Sequence, residues 1–423
     1  MKKKILTLGV LMIMIVSSSC SLNKDDTKTL IISGIGISIN ESLLDGYRNR
    51  NPDINLVIND YQKYGSEAVN RLNIDITRNE AGDILFSSGN IDLDSLAEKG
   101  TFLNLEPFLD LKNQIIPSVF NSIKKPDGSI YYVYPEFYLE FFLAKSKFIN
   151  DDEWNREDII SLLKRFSQSG MDVFGQHSDI KMSLIISECI MEDVKNNVFE
   201  ENKNFYIDLI DVCRSLYAIN NETNTDYNDE YIYYNDKVIC KSEVIFSFDD
   251  IFYNEKGYFG DDISILGNIN AQNEIQMRVG EFFSVFKNTE NENEAVDFVK
   301  QIYEDEYQMH IVYDGMSFPV SEKAFSEMEK STLSMYGIDE NREKKHYICY
   351  MNDDPLDIGY PGKEWIQPYS EMIRNHGYIS FNDTNMRSVI ADALSMIWNE
   401  DISAEEAYYQ TEKKIKLYLS EIS

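Results

Sequence analysis

Residues 29–36 read TLIISGIG, residues 54–60 read INLVIND and residues 82–88 read GDILFSS. Each is a short apolar run rich in β-branched side chains, which predicts a strand of a buried sheet. Between the first two runs, Ser38-Ile-Asn-Glu41 has the spacing of a capping box. Leu43, Leu44 and Tyr47 follow at helical spacing until Asn51-Pro52 stops the helix. Between the second and third runs, Glu67–Thr77 is predicted helical, with Val69, Leu72 and Ile76 on one face. Strand–helix–strand–helix–strand at this spacing predicts βαβ units and a largely parallel sheet, hence an α/β fold.

Beyond that nucleus, Leu96–Leu109 predicts a helix followed by a turn-rich stretch. Tyr131–Glu136, Phe141–Lys147 and Val238–Asp249 read as extended, and Trp154–Phe166 and Asn204–Tyr217 as helices. Asn291–Gln308 reads as one helix with Ala295, Phe298, Val299, Ile302 and Tyr303 in a stripe. A second stripe holds Met386, Val389, Ile390, Ala393, Leu394, Ile397 and Trp398. Ser403-Ala-Glu-Glu406 caps a last helix reaching the region of Ser420. Residues 221–236 and 288–294, rich in Asn, Asp and Glu, read as surface loops.

The chain has 423 residues, which predicts two domains or one large domain with insertions. Hydrophobic residues make up 43% and charged residues 26%, a globular composition rather than a disordered one. A net charge of −32 repels phosphate backbones, so nucleic-acid partners are excluded. The four His and five Cys form no CxxC, HExxH or other ligand cluster, and no GxxxxGK[ST] or GxGxxG is present. No metal or cofactor is therefore expected.

Lys2, Lys3 and Lys4 precede the apolar run Ile5–Val16, then Ser17, Ser18, Ser19 and Cys20. Residues 1–19 are a secretory signal peptide by pattern, too short for a bilayer span. A Cys directly after small residues resembles the bacterial lipobox, in which the Cys is lipid-modified, although Ser17 stands where Leu is usual. Residues 20–28 then form the lipidated Cys and a polar tether, and the protein is expected outside the cell membrane, held by acyl chains. Of Cys189, Cys213, Cys240 and Cys349, both disulfides and buried free thiols stay open.

The order of these pieces resembles the family 1 extracellular solute-binding proteins of bacterial ABC importers, the group that includes the maltose/oligosaccharide-binding proteins. Asn51-Pro-Asp-Ile-Asn-Leu-Val57 is similar to the family's "P-x-I-x-V" second strand, and Ala81-Gly-Asp-Ile-Leu85 to its "PDI" third strand, with Gly82 where Pro is usual. Leu96–Leu109 is similar to its "G-x-L-x-L-xx-F/L" segment, and Asp127–Pro135 to the hairpin before the first lobe crossing. Glu294–Val320, with Glu306-Tyr-Gln308 and Ser317-Phe-Pro-Val320, is the most specific part, and Glu405–Glu421 resembles the closing helix.

The resemblance implies two α/β lobes of the type II periplasmic-binding-protein kind, joined by a hinge. Residues 29–137 plus 279–325 would form lobe 1, and 138–278 plus 326–423 lobe 2. Crossings are expected near Phe137–Phe141, Met277–Phe283 and Lys323–Glu327. It also implies a monomer without enzymatic activity that takes a small solute, a sugar or oligosaccharide by resemblance, and delivers it to the transmembrane subunits of an ABC permease.

Candidate ligand contacts come from positions after strands and at crossings. They are Gly36 in the Gly34-Ile-Gly36 loop, Tyr61 and Tyr64 after the second strand, and Ser87, Ser88 and Asn90 after the third. Tyr134, Glu136 and Phe137 lie at the first crossing, Phe246, Phe248 and Asp249 follow a lobe-2 strand, and Phe282 and Phe283 lie at the second crossing. For each aromatic the competing role is core packing, and for Glu136 and Asp249 a solvated or capping carboxylate. Trp154 and Trp398 read as core, and Trp365 stays open. Rival readings are an exported carbohydrate-active hydrolase, which would need two carboxylates at a set separation, and a binding protein for peptides or for a sensory receptor.

Overall fold

The structure is a computed structural model, described here for residues 28–89, 91–223, 225–267, 269–270, 274–335, 347–379, 384–398 and 402–422. The signal peptide, Cys20 and most of the tether lie outside the described residues, as does Asn90.

The chain begins with β1 (Lys28–Gly34), α1 (Glu41–Arg50), β2 (Ile54–Asp60), α2 (Ala68–Thr77) and β3 (Ile84–Ser87). These are the predicted βαβ units. Next come α3 (Leu93–Glu98), α4 (Pro117–Ile123), β4 (Glu136–Lys145), α5 (Ile159–Ser169), α6 (Ser178–Lys195) and α7 (Lys203–Glu222). There follow β5 (Cys240–Ile245), α8 (Phe248–Phe252), β6 (Ile263–Leu266), β7 (Ile275–Arg278) and β8 (Phe282–Val285). The last third holds α9 (Glu292–Gln301), α10 (Asp305–Asp314), β9 (Phe318–Pro319), α11 (Glu322–Met335) and the β10–β11 hairpin (Tyr347–Met351, Asp354–Gly359). It closes with α12 (Lys363–His376), β12 (Gly377–Ile379), α13 (Thr384–Leu394) and α14 (Ala404–Ile422).

Two sheets organise two lobes. The first has the order β2-β1-β3-β8, with β1 parallel to β2 and β3, and β8 antiparallel. The second runs β12-β7-β4-β5, with β6 and β9 also paired to β4. Strand β4 links the regions. Its first two residues pair with β9 (Glu136↔Pro319, Phe137↔Phe318), and from Tyr138 on it pairs with β7, β5 and β6.

Burial explains both the strands and their sides. β1 and β3 bury Leu30, Ile32, Ile84, Leu85 and Phe86. One apolar cluster fills the first lobe and continues without a break onto one face of the second sheet, through Phe137, Leu139, Phe141, Ile245, Phe248 and Met277. A second cluster joins α5, α6, α7, α13 and α14 under the other face, around Leu163, Ile186, Cys213, Ile390 and Tyr408.

Several local expectations change. The helix α1 is capped by Asn40, whose side chain accepts from the Ser42 amide, not by Ser38. Asn291–Gln308 is not one helix. It breaks between α9 and α10, where Glu304 turns extended (φ −69°, ψ 142°). The apolar stripe did not reveal the break because Ile302 and Tyr303 stay buried across it. Val238–Asp249 leaves the extended state at Ser247, where Ser247 and Asp250 form a capping box that starts α8. The helix expected over Trp154–Phe166 begins at Ile159. The helices α6, α11 and α12 and the β10–β11 hairpin went unpredicted.

Candidate functional site

Because β1, β2 and β3 are parallel, Gly34, Asp60 and Ser87 end at one edge of the first sheet, where open α/β sheets hold ligands. The loops leaving that edge are tied together by one carboxylate. Asp60 accepts from the amides of Gly36 (2.9 Å), Ile37 (3.3 Å) and Gln62 (2.8 Å). Gly36 has φ +64°, and a Cβ there would sit 3.0 Å from Gln62 Oε1. Tyr61 is buried, and its hydroxyl donates to Asp75 at 2.5 Å. Tyr64 is 42% exposed, 5.8 Å from the Tyr61 ring, with Lys63 and Arg71 each 5.3 Å from its centroid.

The opposite wall comes from β4 and β7. In β4 the side chains alternate: Glu136, Tyr138 and Glu140 are half-buried on one face, whereas Phe137, Leu139 and Phe141 are buried on the other. Tyr138 pairs in register with Arg278 of β7, so both stand on the same face. Arg278 Nε donates to Glu140 Oε2 at 2.6 Å. The Tyr138 ring lies 5.8 Å from Phe246.

Between these walls lies a cleft of about 1050 Å³. Ser88, Gly89, Ile91 and Asp92 line it from the first lobe, and Tyr138, Arg278, Val279 and Gly280 from the β4–β7 side. It continues along the first lobe between α2 and α3, past Asn73, Thr77 and Leu96, and Tyr418 of α14 also borders it.

A pair of carboxyls flanks the crossing segments. Ser38 Oγ donates to Glu281 Oε1 at 3.4 Å. Burial pushes the Glu281 carboxyl up to about 7, and the charge of Glu136 adds in the same direction. Glu136 is itself raised, first by burial and then by Asp314, against a hydrogen bond from Ser317.

The sequence candidates thus fall into distinct places. Ser88 lines the cleft, and Gly36 and Tyr64 lie in the loops that leave the same sheet edge. Glu136 faces the same way as Tyr138, and Phe246 is half-buried against it. Four aromatics are wholly buried. Tyr134 packs edge-on against Phe282, Phe137 stacks on Phe318 (5.4 Å, 15°), Phe248 packs on Phe318 and Phe325, and Phe283 packs on Phe86 and Phe298. Asp249 sits in the first turn of α8. Trp365 donates to Glu255 Oε2 at 2.8 Å.

Tyr138, Arg278 and Glu281 were missed. For Tyr138 the signal was present: the two-residue alternation in Glu136–Phe141 separates the half-buried side chains from the core ones. Among the described residues no group of three or more His, Cys, Asp or Glu could hold a metal ion. No described helix is long and apolar enough to cross a membrane.

No protein-family model matches the sequence, and none of the curated proteins is similar to it. Solved structures are similar in fold. A family 1 extracellular solute-binding protein of Bifidobacterium longum subsp. infantis is 10% identical, with a TM-score of 0.54 over 92% of this chain and 99% of that one. A Streptococcus pneumoniae solute-binding protein, solved with the blood group A-trisaccharide, is 13% identical, with a TM-score of 0.52 over 92% of this chain and 100% of that one. A family 1 extracellular solute-binding protein of Alicyclobacillus acidocaldarius is 11% identical, with a TM-score of 0.51 over 92% and 98% of the two chains. The fold is the two-lobed one of the extracellular solute-binding proteins.

Proposed function

We propose that this chain is an exported solute-binding lipoprotein that captures a carbohydrate between its lobes and hands it to the transmembrane subunits of an ABC permease. The observation that carries the reading is the cleft itself, with the carboxyl-terminal edge of a parallel sheet on one side and the Tyr138–Arg278 face on the other. The carbohydrate class is supported by a similar protein's trisaccharide complex and by aromatic rings at or beside the cleft. In this reading residues 29–137 plus 279–325 make lobe 1 and 138–278 plus 326–423 lobe 2. Glu136, Tyr138, Arg278 and Glu281 then sit where the chain passes between them. Closure buries the ligand from both sides and removes its water. Ligand favours the closed form only by its higher affinity for that form. The ligand contacts include Gly36, Tyr64, Ser88 and Asn90, and no covalent step is required.

A thermal-shift screen over mono- and oligosaccharides, peptides and metal ions tests this function. A rise in melting temperature with at least one sugar is expected. A rise only with peptides or metals would replace the carbohydrate reading, and release of product from a bound oligosaccharide would make the protein a hydrolase. Cys20→Ala is expected to free the protein from the membrane fraction, and full retention there would refute the lipid anchor.

A further inference from the structure

The second wall of the cleft is more than a boundary. Tyr138 and Arg278 are register partners on adjacent antiparallel strands, and both line the cleft. The Arg278 side chain is only 6% exposed and is pinned by the Nε–Glu140 hydrogen bond. Its Nη1 has no hydrogen-bond partner among the described residues. A buried guanidinium nitrogen without an acceptor is costly, and a fold keeps one where something else supplies the acceptor. Beside it, the half-buried Tyr138 ring is braced by Phe246.

The charges select the ligand class. The charge of Arg278 is already answered by Glu140, and the lining of the cleft also carries Asp92, Asp94 (paired with Lys125) and Lys99. An incoming carboxylate would meet Arg278 only as part of an existing ion pair, beside the Glu140 carboxylate. A neutral ligand whose hydroxyl or ether oxygens accept hydrogen bonds meets no such repulsion, and its C–H face fits an aromatic ring.

We propose that Tyr138 and Arg278 form the ligand-reading subsite of the second wall, with Tyr138 as stacking platform and Arg278 as donor to a neutral sugar unit. Glu140 is a positioning residue that holds the guanidinium in place. This rests on the carbohydrate reading above and deepens it.

The experiment is titration calorimetry on the full chain with three neutral probes, maltotriose, xylotriose and cellotriose, and one anionic probe, trigalacturonate. Binding of at least one neutral trisaccharide is expected, with trigalacturonate weaker by roughly tenfold or more. For that trisaccharide, Tyr138→Ala and Arg278→Lys should each weaken binding roughly 10- to 100-fold, and Tyr138→Phe should restore most of the affinity. Tyr138→Ala is the decisive variant, because a half-buried ring can be removed without unpairing a charge, and its ligand-free melting temperature is measured alongside. Tyr138→Ala binding within twofold of the wild type would overturn the subsite while leaving the carbohydrate reading standing. So would tighter binding of trigalacturonate than of any neutral sugar. Wild-type protein that binds none of the four, with no sugar in the thermal-shift screen raising its melting temperature, would overturn both.

Discussion

Asp60 holds Gly36 across the edge of the first sheet. Its Oδ1 accepts the Gly36 amide at 2.9 Å while the same carboxylate takes the amides of Ile37 and Gln62. The loops after β1 and β2 are therefore one structural unit, and three amide donors that would otherwise lack partners are satisfied by one side chain. Asp60→Ala should cost about 1–3 kcal/mol in urea denaturation. It should also weaken ligand binding, because the Gly36 loop loses its brace. Asp60→Asn, which keeps an acceptor oxygen, should cost less. Equal stability of Asp60→Ala and wild type would show that the brace is incidental.

Glu281 makes stability depend on pH. Its carboxyl keeps its proton in the fold up to about pH 7, against 4.5 as the ordinary value. Between those values the folded state binds a proton that the unfolded chain has lost, so stability falls as pH rises from 4.5 to 7. In Glu281→Gln that fall should shrink by about 1–2 kcal/mol, after allowance for solvent screening of a partly exposed group. Denaturation of both proteins at acid and alkaline ends of this window is the check, and parallel pH profiles would exonerate Glu281.

Asp193 anchors the helical side of the second lobe. It is buried and accepts from Arg156 Nη2 (2.5 Å), Tyr206 hydroxyl (2.7 Å) and Asn202 Nδ2 (2.8 Å). Asp193→Ala leaves Arg156 without its carboxylate partner, with only Asn270 Oδ1 still accepting from it, and should destabilise by about 3 kcal/mol, the low end for a buried pair because Arg156 is partly exposed. The Arg156→Met/Asp193→Leu double variant should recover part of that loss. No recovery in chemical denaturation would place the cost in packing rather than in the unpaired charge.

The four described cysteines are free and buried. Burial pushes the Cys189 thiol up to about 12, and raises Cys213, Cys240 and Cys349 as well. A thiol-specific chromogenic disulfide should leave all four unmodified in the native protein and label them in denaturant. Rapid native labelling of any of them would contradict the packing around it.

The parts that read cleanly from sequence were those in which one local pattern decides the outcome. β2 spans Ile54–Asp60 as expected, and Ser403 caps the last helix through the Glu406 amide. The parallel order followed from strand and helix spacing alone. The site was harder because the two faces of a strand look alike when both carry aromatics. Phe137 and Tyr138 are neighbours, yet one stacks in the core on Phe318 and the other borders the cleft. Only the parity of the pleat separates them. The extended reading of Val238–Asp249 fails at its end for another reason: Ser247 and Asp250 satisfy each other's backbone groups and start a helix where apolar composition suggested strand. Arg278 gave no local signal, since its importance comes from a partner 138 positions away in the chain.

The apolar cluster that crosses from the first lobe onto the second sheet has a mechanical consequence. With Phe137, Leu139 and Met277 buried in the same body as Leu30 and Phe86, warming should not separate the halves at the cleft. A separate seam lies inside the second lobe, where α5, α6, α7, α13 and α14 rest on the sheet through a cluster of their own. Those helices should exchange amide protons first. The strands that join the lobes should be the last elements to melt.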